Sequence, residues 1–225
     1  MLKGLIFDMD GVLTRTDRYH LAAWEQLAKS IGIELPANAN EYLKGRSRLD
    51  SLNYILEQAP AVHYTATQKD ELCARKNTLY QKLTADMTPA DILPGIYTLL
   101  TAAKAQGLRL GVASASQNAP RLLAKLELLD SFDAITDPAT LSASKPDPAI
   151  YNQTAKLLGL SSGEVMSFED AASGIESIKA AHQFAVGIGS AEELVGADVI
   201  VPNTAALDLI MLTVQFDANI SDSVN

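Results

Sequence analysis

After Met1 the chain runs Leu2-Lys3-Gly4-Leu5-Ile6-Phe7-Asp8-Met9-Asp10-Gly11, the segment from which the fold class follows. An apolar run of strand length ends abruptly in two carboxylates and a glycine. That is the pattern of a strand buried on both faces that opens into a loop. The same look returns at Leu108 to Ala113, Ala134-Ile135, Val165 to Phe168 and Phe184 to Ile188, with Val199 to Val201 as a sixth candidate. Helical stretches separate these runs: Pro94 to Gln106, Asn118 to Leu128, Pro148 to Leu158 and Ala172 to Ala181. Alternation of this kind predicts a parallel sheet with helices on both faces. Right-handed crossovers then gather the loops that follow the strands along one edge.

The alternation breaks early. From Thr16 to about Met87 there is no strand pattern, only helical segments. Trp24, Leu27, Ala28 and Ile31 share one face of a first helix. A second helix follows Ser47, and a third runs from about Thr67 to Ala85, with Thr67 and Glu71 as its start signal. Gly32, Pro36 and Asn38-Ala39-Asn40 separate the first two. The expected fold class is therefore α/β: a Rossmann-like doubly wound parallel sheet core with an inserted helical cap domain after the first strand. Residues 1–15 and 88–225 form the core and residues 16–87 the cap, a lid over the edge where such sheets bind ligands. The polar residues after Phe216 are expected to fray.

Composition narrows the partners. Of 225 residues, 48% are hydrophobic, enough for a real core. Lysine and arginine total 18 against 27 acids, a net charge of −9. Such a surface repels nucleic acid and anionic lipid, so any affinity for phosphate must come from a local cluster of cations. The single cysteine, Cys73, cannot form an internal disulfide and reads as a partly buried small side chain. The first apolar run is too short for a signal peptide and no stretch is long enough to span a membrane, so a cytoplasmic protein is expected. His63 and His182 read as surface residues.

The strand ends carry the chemistry. Asp8 and Asp10 make sense as a nucleophile and a proton handler: an ionised carboxylate can accept a phosphoryl group, and a second carboxyl can protonate a leaving oxygen. Gly11 permits the turn that brings phosphate close. Ser114 and Ser116, around Ala115, follow the second strand and offer hydroxyls and amides to phosphoryl oxygens. Lys145 follows the third in Ser-Lys-Pro-Asp-Pro, and Glu169-Asp170 ends the fourth. Asp8, Asp10, Glu169 and Asp170 should converge, and two like charges about 4 Å apart repel by roughly 4 kcal/mol at an effective dielectric near 20. A hard cation is needed, and phosphate chemistry favours Mg²⁺. Lys145 and Ser114 would complete an electrostatic cage around the transferring group.

These four motifs, in order along the core, resemble those of the haloacid dehalogenase superfamily. The resemblance implies that Asp8 is the nucleophile and Asp10 the general acid/base, and that Asp8, Asp10 (through its carbonyl), Glu169 and Asp170 hold one Mg²⁺. No competing phosphate-loop or dinucleotide fingerprint is present.

The cap separates mutase from phosphatase. A mutase must grip a second phosphate opposite Asp8 and exclude water. Leu43-Lys44-Gly45-Arg46-Ser47-Arg48 sets a lysine and two arginines around a glycine, and a guanidinium grips phosphate bidentately. Ser116-Gln117-Asn118 opens a core helix and forms a second anion site. Thr16, His20 and Trp24 follow one another at the start of the cap. His20 is placed to hydrogen-bond Asp10 or the sugar, and Trp24 serves either the cap's own core or a stacking contact. Lys76 is placed to reach the sugar.

The stretches Tyr19-His20-Leu-Ala-Ala-Trp24, Leu43-Lys-Gly-x-Ser-Arg48 and Arg75-Lys-Asn77 resemble the β-phosphoglucomutases within that superfamily, as do Leu93-Pro-Gly95 and Ala143-Ser-Lys145-Pro. That resemblance implies interconversion of β-D-glucose 1-phosphate and glucose 6-phosphate, primed by β-glucose 1,6-bisphosphate. It also implies that Arg48 anchors the distal phosphate, with Gly45 and Arg46 contacting substrate. Gln117 stands where the family often has a lysine, Arg46 where it has an apolar residue, and Arg15 where it has an acid. A sugar-phosphate phosphatase is the alternative enzyme and a phosphosugar sensor the non-enzymatic one. A monomer is expected, since a swinging lid leaves little surface for a permanent interface.

Overall fold

The computed structural model describes residues 1–60 and 62–222. Its centre is a six-stranded parallel sheet in the order β3-β2-β1-β4-β5-β6. The strands are β1 (Gly4–Phe7), β2 (Arg109–Val112), β3 (Ala134–Ile135), β4 (Val165–Glu169), β5 (Phe184–Ile188) and β6 (Val199–Val201). All six apolar runs form strands, and the chain order reverses at β1, where loops diverge and a crevice opens. Successive residues of β1 face opposite sides. Leu5 and Phe7 join one apolar cluster with α5 (Ile96–Ala105), α6 (Ala119–Lys125) and α9 (Leu209–Asp222), while Ile6 joins another with α7 (Ala149–Leu158) and α8 (Ala172–Ala180). Phe7 stacks on Phe168 of β4 with ring centroids 4.7 Å apart.

Between β1 and β2 lie α1 (Asp17–Ser30), α2 (Ala39–Leu43), α3 (Arg48–Glu57) and α4 (Ala66–Leu83). This insertion has its own buried cluster around Trp24, Leu27, Leu52 and Ile55. Ala23 and Tyr80 instead pack into the sheet-side cluster, so α1 and α4 rest on the sheet where the two meet.

Three local expectations need correction. The Asn38-Ala39-Asn40 break contains a helix, α2, whose Ala39 and Leu43 bury against the insertion. The third cap helix starts two residues early: Thr65 and Gln68 form a reciprocal capping box, the Thr65 amide donating to Gln68 Oε1 at 2.8 Å. Past Phe216 the chain stays helical to Asp222, because Leu209, Leu212 and Phe216 form a buried stripe; residues 223–225 lie outside the described residues. Among the described residues no helix is long and apolar enough to cross a membrane.

Candidate active site

Parallel pairing of Phe7 with both Val112 and Phe168 sets three strand ends level. Asp8 thus lies level with Ala113 and Glu169, one residue short of Ser114, without any help from its own loop. Lys145 reaches in from the loop after β3, its Nζ 2.6 Å from Asp8 Oδ1 and 2.6 Å from Glu169 Oε1, with no part of its side chain exposed. Burial opposes the lysine's charge, but Asp8 and Glu169 outweigh it and hold its pKa well above the ordinary value. The other Glu169 oxygen accepts the amides of Asp170 and Ala171 at 2.7 and 3.0 Å. Burial pushes the Asp170 carboxyl up to about 7, Glu169 adding to the shift and Lys44 opposing it.

Gly11 is required by crowding as well as by its φ of 76°: a Cβ there would lie 1.7 Å from Asp170 Oδ2. Carboxylate oxygens of Asp8, Glu169 and Asp170 lie within 4.8 Å of one another. Buried like charges at that spacing, all hard oxygen donors, fit a divalent cation. The Asp10 carboxylate is not in that group. Its Oδ1 accepts a short hydrogen bond from the Thr16 hydroxyl, and its Oδ2 lies 3.7 Å from His20 Nε2. Burial raises the Asp10 pKa, with Thr16 opposing.

Above this edge the insertion overhangs a partly open cavity of about 340 Å³. Asp8, Asp10, Asp170, Ala115, Ser116 and Gln117 line its sheet side. His20, Trp24, Lys44, Gly45, Arg46, Ser47, Arg48 and Lys76 line the facing side. The insertion is latched to the sheet edge by Lys44, 2.7 Å from Asp170 Oδ2, and by Asp50, which accepts from the Ser144 hydroxyl at 2.6 Å. Gly45 lies so close to the sheet side that an added Cβ would stand 2.9 Å from Ser173 Oγ.

On the facing wall, Arg48 Nη2 donates to Asn77 Oδ1 at 3.0 Å. Lys76 Nζ lies 2.6 Å from His20 Nδ1 and 4.8 Å from the centre of the Trp24 ring. Among the described residues neither Arg48 nor Lys76 has a carboxylate within ion-pair distance. Burial, with Arg48 adding to it, brings Lys76 down to about 7. Burial and the same two cations hold His20 well below the usual histidine range. A neutral His20 accepting at Nδ1 carries its proton on Nε2, which faces Asp10. Arg46 is exposed where this cavity meets a second one of about 580 Å³ beside residues 138–146.

Thr16, Ser114, Asn118, Lys145 and Glu169 do not line the main cavity. Thr16, Lys145 and Glu169 stand directly behind residues that do. The Ser114 hydroxyl accepts the Ser116 amide at 3.1 Å and so shapes that loop from behind. Both ends of the Asn118 side chain are taken by the insertion, through Asn77 and Gln81. Sequence reasoning passed over Asp17 and Asp70, which line the cavity. Helical spacing offered the signal: Asp17, His20, Leu21 and Trp24 recur on one face of α1, and Asp70, Cys73 and Lys76 on one face of α4. Cys73 is half-buried, and burial raises its pKa, which suits an inert thiol.

A family model of the haloacid dehalogenase-like hydrolases matches residues 2–182. The chain belongs to that family. Among haloacid dehalogenase-like relatives, β-phosphoglucomutase of Bacillus subtilis (strain 168) is 45% identical over 212 residues, 94% of each chain. The crystal structure of a β-phosphoglucomutase from Clostridium difficile superposes with a TM-score of 0.96 at 37% identity, over 98% of this chain and all of that one. A more distant relative, the phosphorylated carbohydrates phosphatase of Thermotoga maritima, is 26% identical over 182 residues, 80% of this chain and 82% of its own.

Proposed function

We propose that this chain is a β-phosphoglucomutase, interconverting β-D-glucose 1-phosphate and glucose 6-phosphate through an aspartyl-phosphate enzyme and β-glucose 1,6-bisphosphate. The observation that carries the reading is that Arg48 and Lys76, which among the described residues have no carboxylate partner, face Asp8 across one cavity. A phosphatase needs one phosphate site; a mutase needs two, since its intermediate carries a phosphate at each end.

Residues 16–87 act as the lid and residues 1–15 and 88–225 as the phosphoryl-transfer core. Arg48 and Lys76 hold the distal phosphate and the sugar, with Ser116 and Gln117 completing the anion site. In the phosphorylated enzyme, Asp10 takes the proton of the sugar 6-hydroxyl as that oxygen attacks the phosphorus on Asp8, and the bond from phosphorus to the Asp8 oxygen breaks to free the carboxylate. The bisphosphate then presents its other end. Asp8 attacks the 1-phosphate, the bond from phosphorus to sugar O1 breaks, and Asp10 returns its proton to that oxygen.

Thr16 and the Nε2 proton of His20 hold the Asp10 carboxyl for both transfers. Lys145 fixes one Asp8 oxygen and leaves the other to attack. Asp8, Glu169, Asp170 and the Asp10 carbonyl would hold Mg²⁺, which offsets negative charge on the transferring phosphoryl group. Lys44 and Asp50 keep the lid shut against water. The enzyme acts as a cytoplasmic monomer on a soluble phosphosugar.

The test is a glucose-6-phosphate dehydrogenase-coupled assay on β-glucose 1-phosphate with Mg²⁺ and catalytic β-glucose 1,6-bisphosphate, beside a free-phosphate assay. Turnover is expected to require the bisphosphate, to release little phosphate, and to fall on the order of 10⁴-fold or more in Asp8→Asn. Steady stoichiometric phosphate release would make the protein a phosphatase.

A further inference from the structure

We infer that Asn77, which does not itself line the cavity, is a positioning residue that aims Arg48 at the substrate's distal phosphate and ties that aim to closure of the lid. The inference rests on the mutase reading of the cavity. Asn77 Oδ1 accepts two hydrogen bonds at once, from Arg48 Nη2 at 3.0 Å and from Asn118 Nδ2 at 2.9 Å. Arg48 opens α3, Asn77 lies on α4, and Asn118 precedes α6 across the lid–core boundary. One turn further along α4, Gln81 Nε2 donates to Asn118 Oδ1 at 3.1 Å, so α4 grips both ends of the Asn118 amide. The Asn118 backbone N–H donates to Ser116 Oγ at 3.3 Å, and Ser116 lines the cavity. A continuous polar chain therefore runs from the lid's arginine to the core's phosphate-facing loop.

The chemistry of the acceptor matters. An amide oxygen orients a guanidinium but leaves its charge available, whereas a carboxylate at position 77 would pair with Arg48 and compete with phosphate. Two donors from opposite sides of the boundary both demand Oδ1, so docking of Asn118 sets which face of the Asn77 amide Arg48 meets. With the lid open the Asn118 bond is absent and that orientation is released. Arg48 is then held in its phosphate-ready position only when the cavity is closed.

Three variants test this in the coupled assay. Asn77→Leu keeps the volume and removes both acceptor contacts. Its KM for β-glucose 1-phosphate should rise about tenfold, the loss of one hydrogen bond to a charged group, while kcat stays within about threefold. Adding Asn77→Leu to Arg48→Ala should raise KM no further, because the arginine it positions is gone. Asn77→Asp keeps an oxygen that can accept both hydrogen bonds, so it should melt near the wild-type temperature yet still show a raised KM, its charge having neutralised Arg48. An unchanged KM in Asn77→Leu, the same rise in the Arg48→Ala background, or recovery of wild-type KM in Asn77→Asp would each overturn the inference while an active wild type upheld the mutase. An inactive wild type would overturn both.

Discussion

Lys145 at the sheet edge stands 2.6 Å from carboxylates of both Asp8 and Glu169, whereas across the cavity, among the described residues, the Arg48 guanidinium meets the Asn77 amide and Lys76 the His20 ring and two aromatic faces, with no carboxylate at either. The sheet-edge wall is a set of buried charges that compensate one another and still carry surplus negative charge. At Arg48 and Lys76 the lid wall carries positive charge with no carboxylate partner among the described residues. Burying a cation without a counter-ion costs stability, and Lys76 responds by lowering its proton affinity. A fold tolerates such a wall when a ligand supplies the missing anion. Under the proposed function, the reacting phosphate belongs at the compensated wall and the anchored one at the uncompensated wall.

Lys145→Met attacks the comparison hardest. Removing one partner of a buried charge network leaves Asp8 and Glu169 facing each other, which should cost about 3–5 kcal/mol of stability and lower the melting temperature by several degrees. Activity should fall by about 10³-fold as well. A variant that melts like the wild type would mean that the sheet-edge charges are not coupled as described.

Arg48→Ala should behave in the opposite way. With no anion to orphan, it should leave the melting temperature nearly unchanged and raise KM by about 10- to 100-fold, the range for a charge-assisted contact to phosphate. A large loss of stability would erase the contrast between the walls.

The smallest effect comes from Lys76 and pH. Its folded pKa of about 7 lies below that of an unfolded lysine, so between those values the unfolded state binds more protons. Stability should therefore rise with pH across that window, and Lys76→Met should flatten the slope. As pH climbs through about 7 the lid wall also loses its second cation, so KM for the phosphosugar should rise in the wild type and less in Lys76→Met. Parallel KM profiles for the two proteins would show that Lys76 does not serve the anion site.

Much of this was legible in the chain itself. The six strands were readable because an apolar run ended by Asp8, Ser114 or Glu169 is a local pattern. The helix α2 and the start of α4 were misread because a short amphipathic turn and a Thr65–Gln68 box are weak signals beside a neighbouring Pro or Asn. Within the site, the strand-end acids and Lys145 were found from position alone. Asp17 and Asp70 escaped because an acid on a helix face looks the same whether it meets water or a cavity.

The sheet, the inserted helices and the acids at the strand ends follow from the order of residues alone, since side-chain periodicity and strand-end placement depend on near neighbours. Which polar groups are already occupied, and which still lack an anion, is visible only in the folded molecule. Asn118 spends its side chain on the lid, and among the described residues half-buried Arg48 and buried Lys76 have no carboxylate partner. Burial and hydrogen bonding are set by residues far apart in the chain, here 48, 77 and 118, and no local pattern records their meeting.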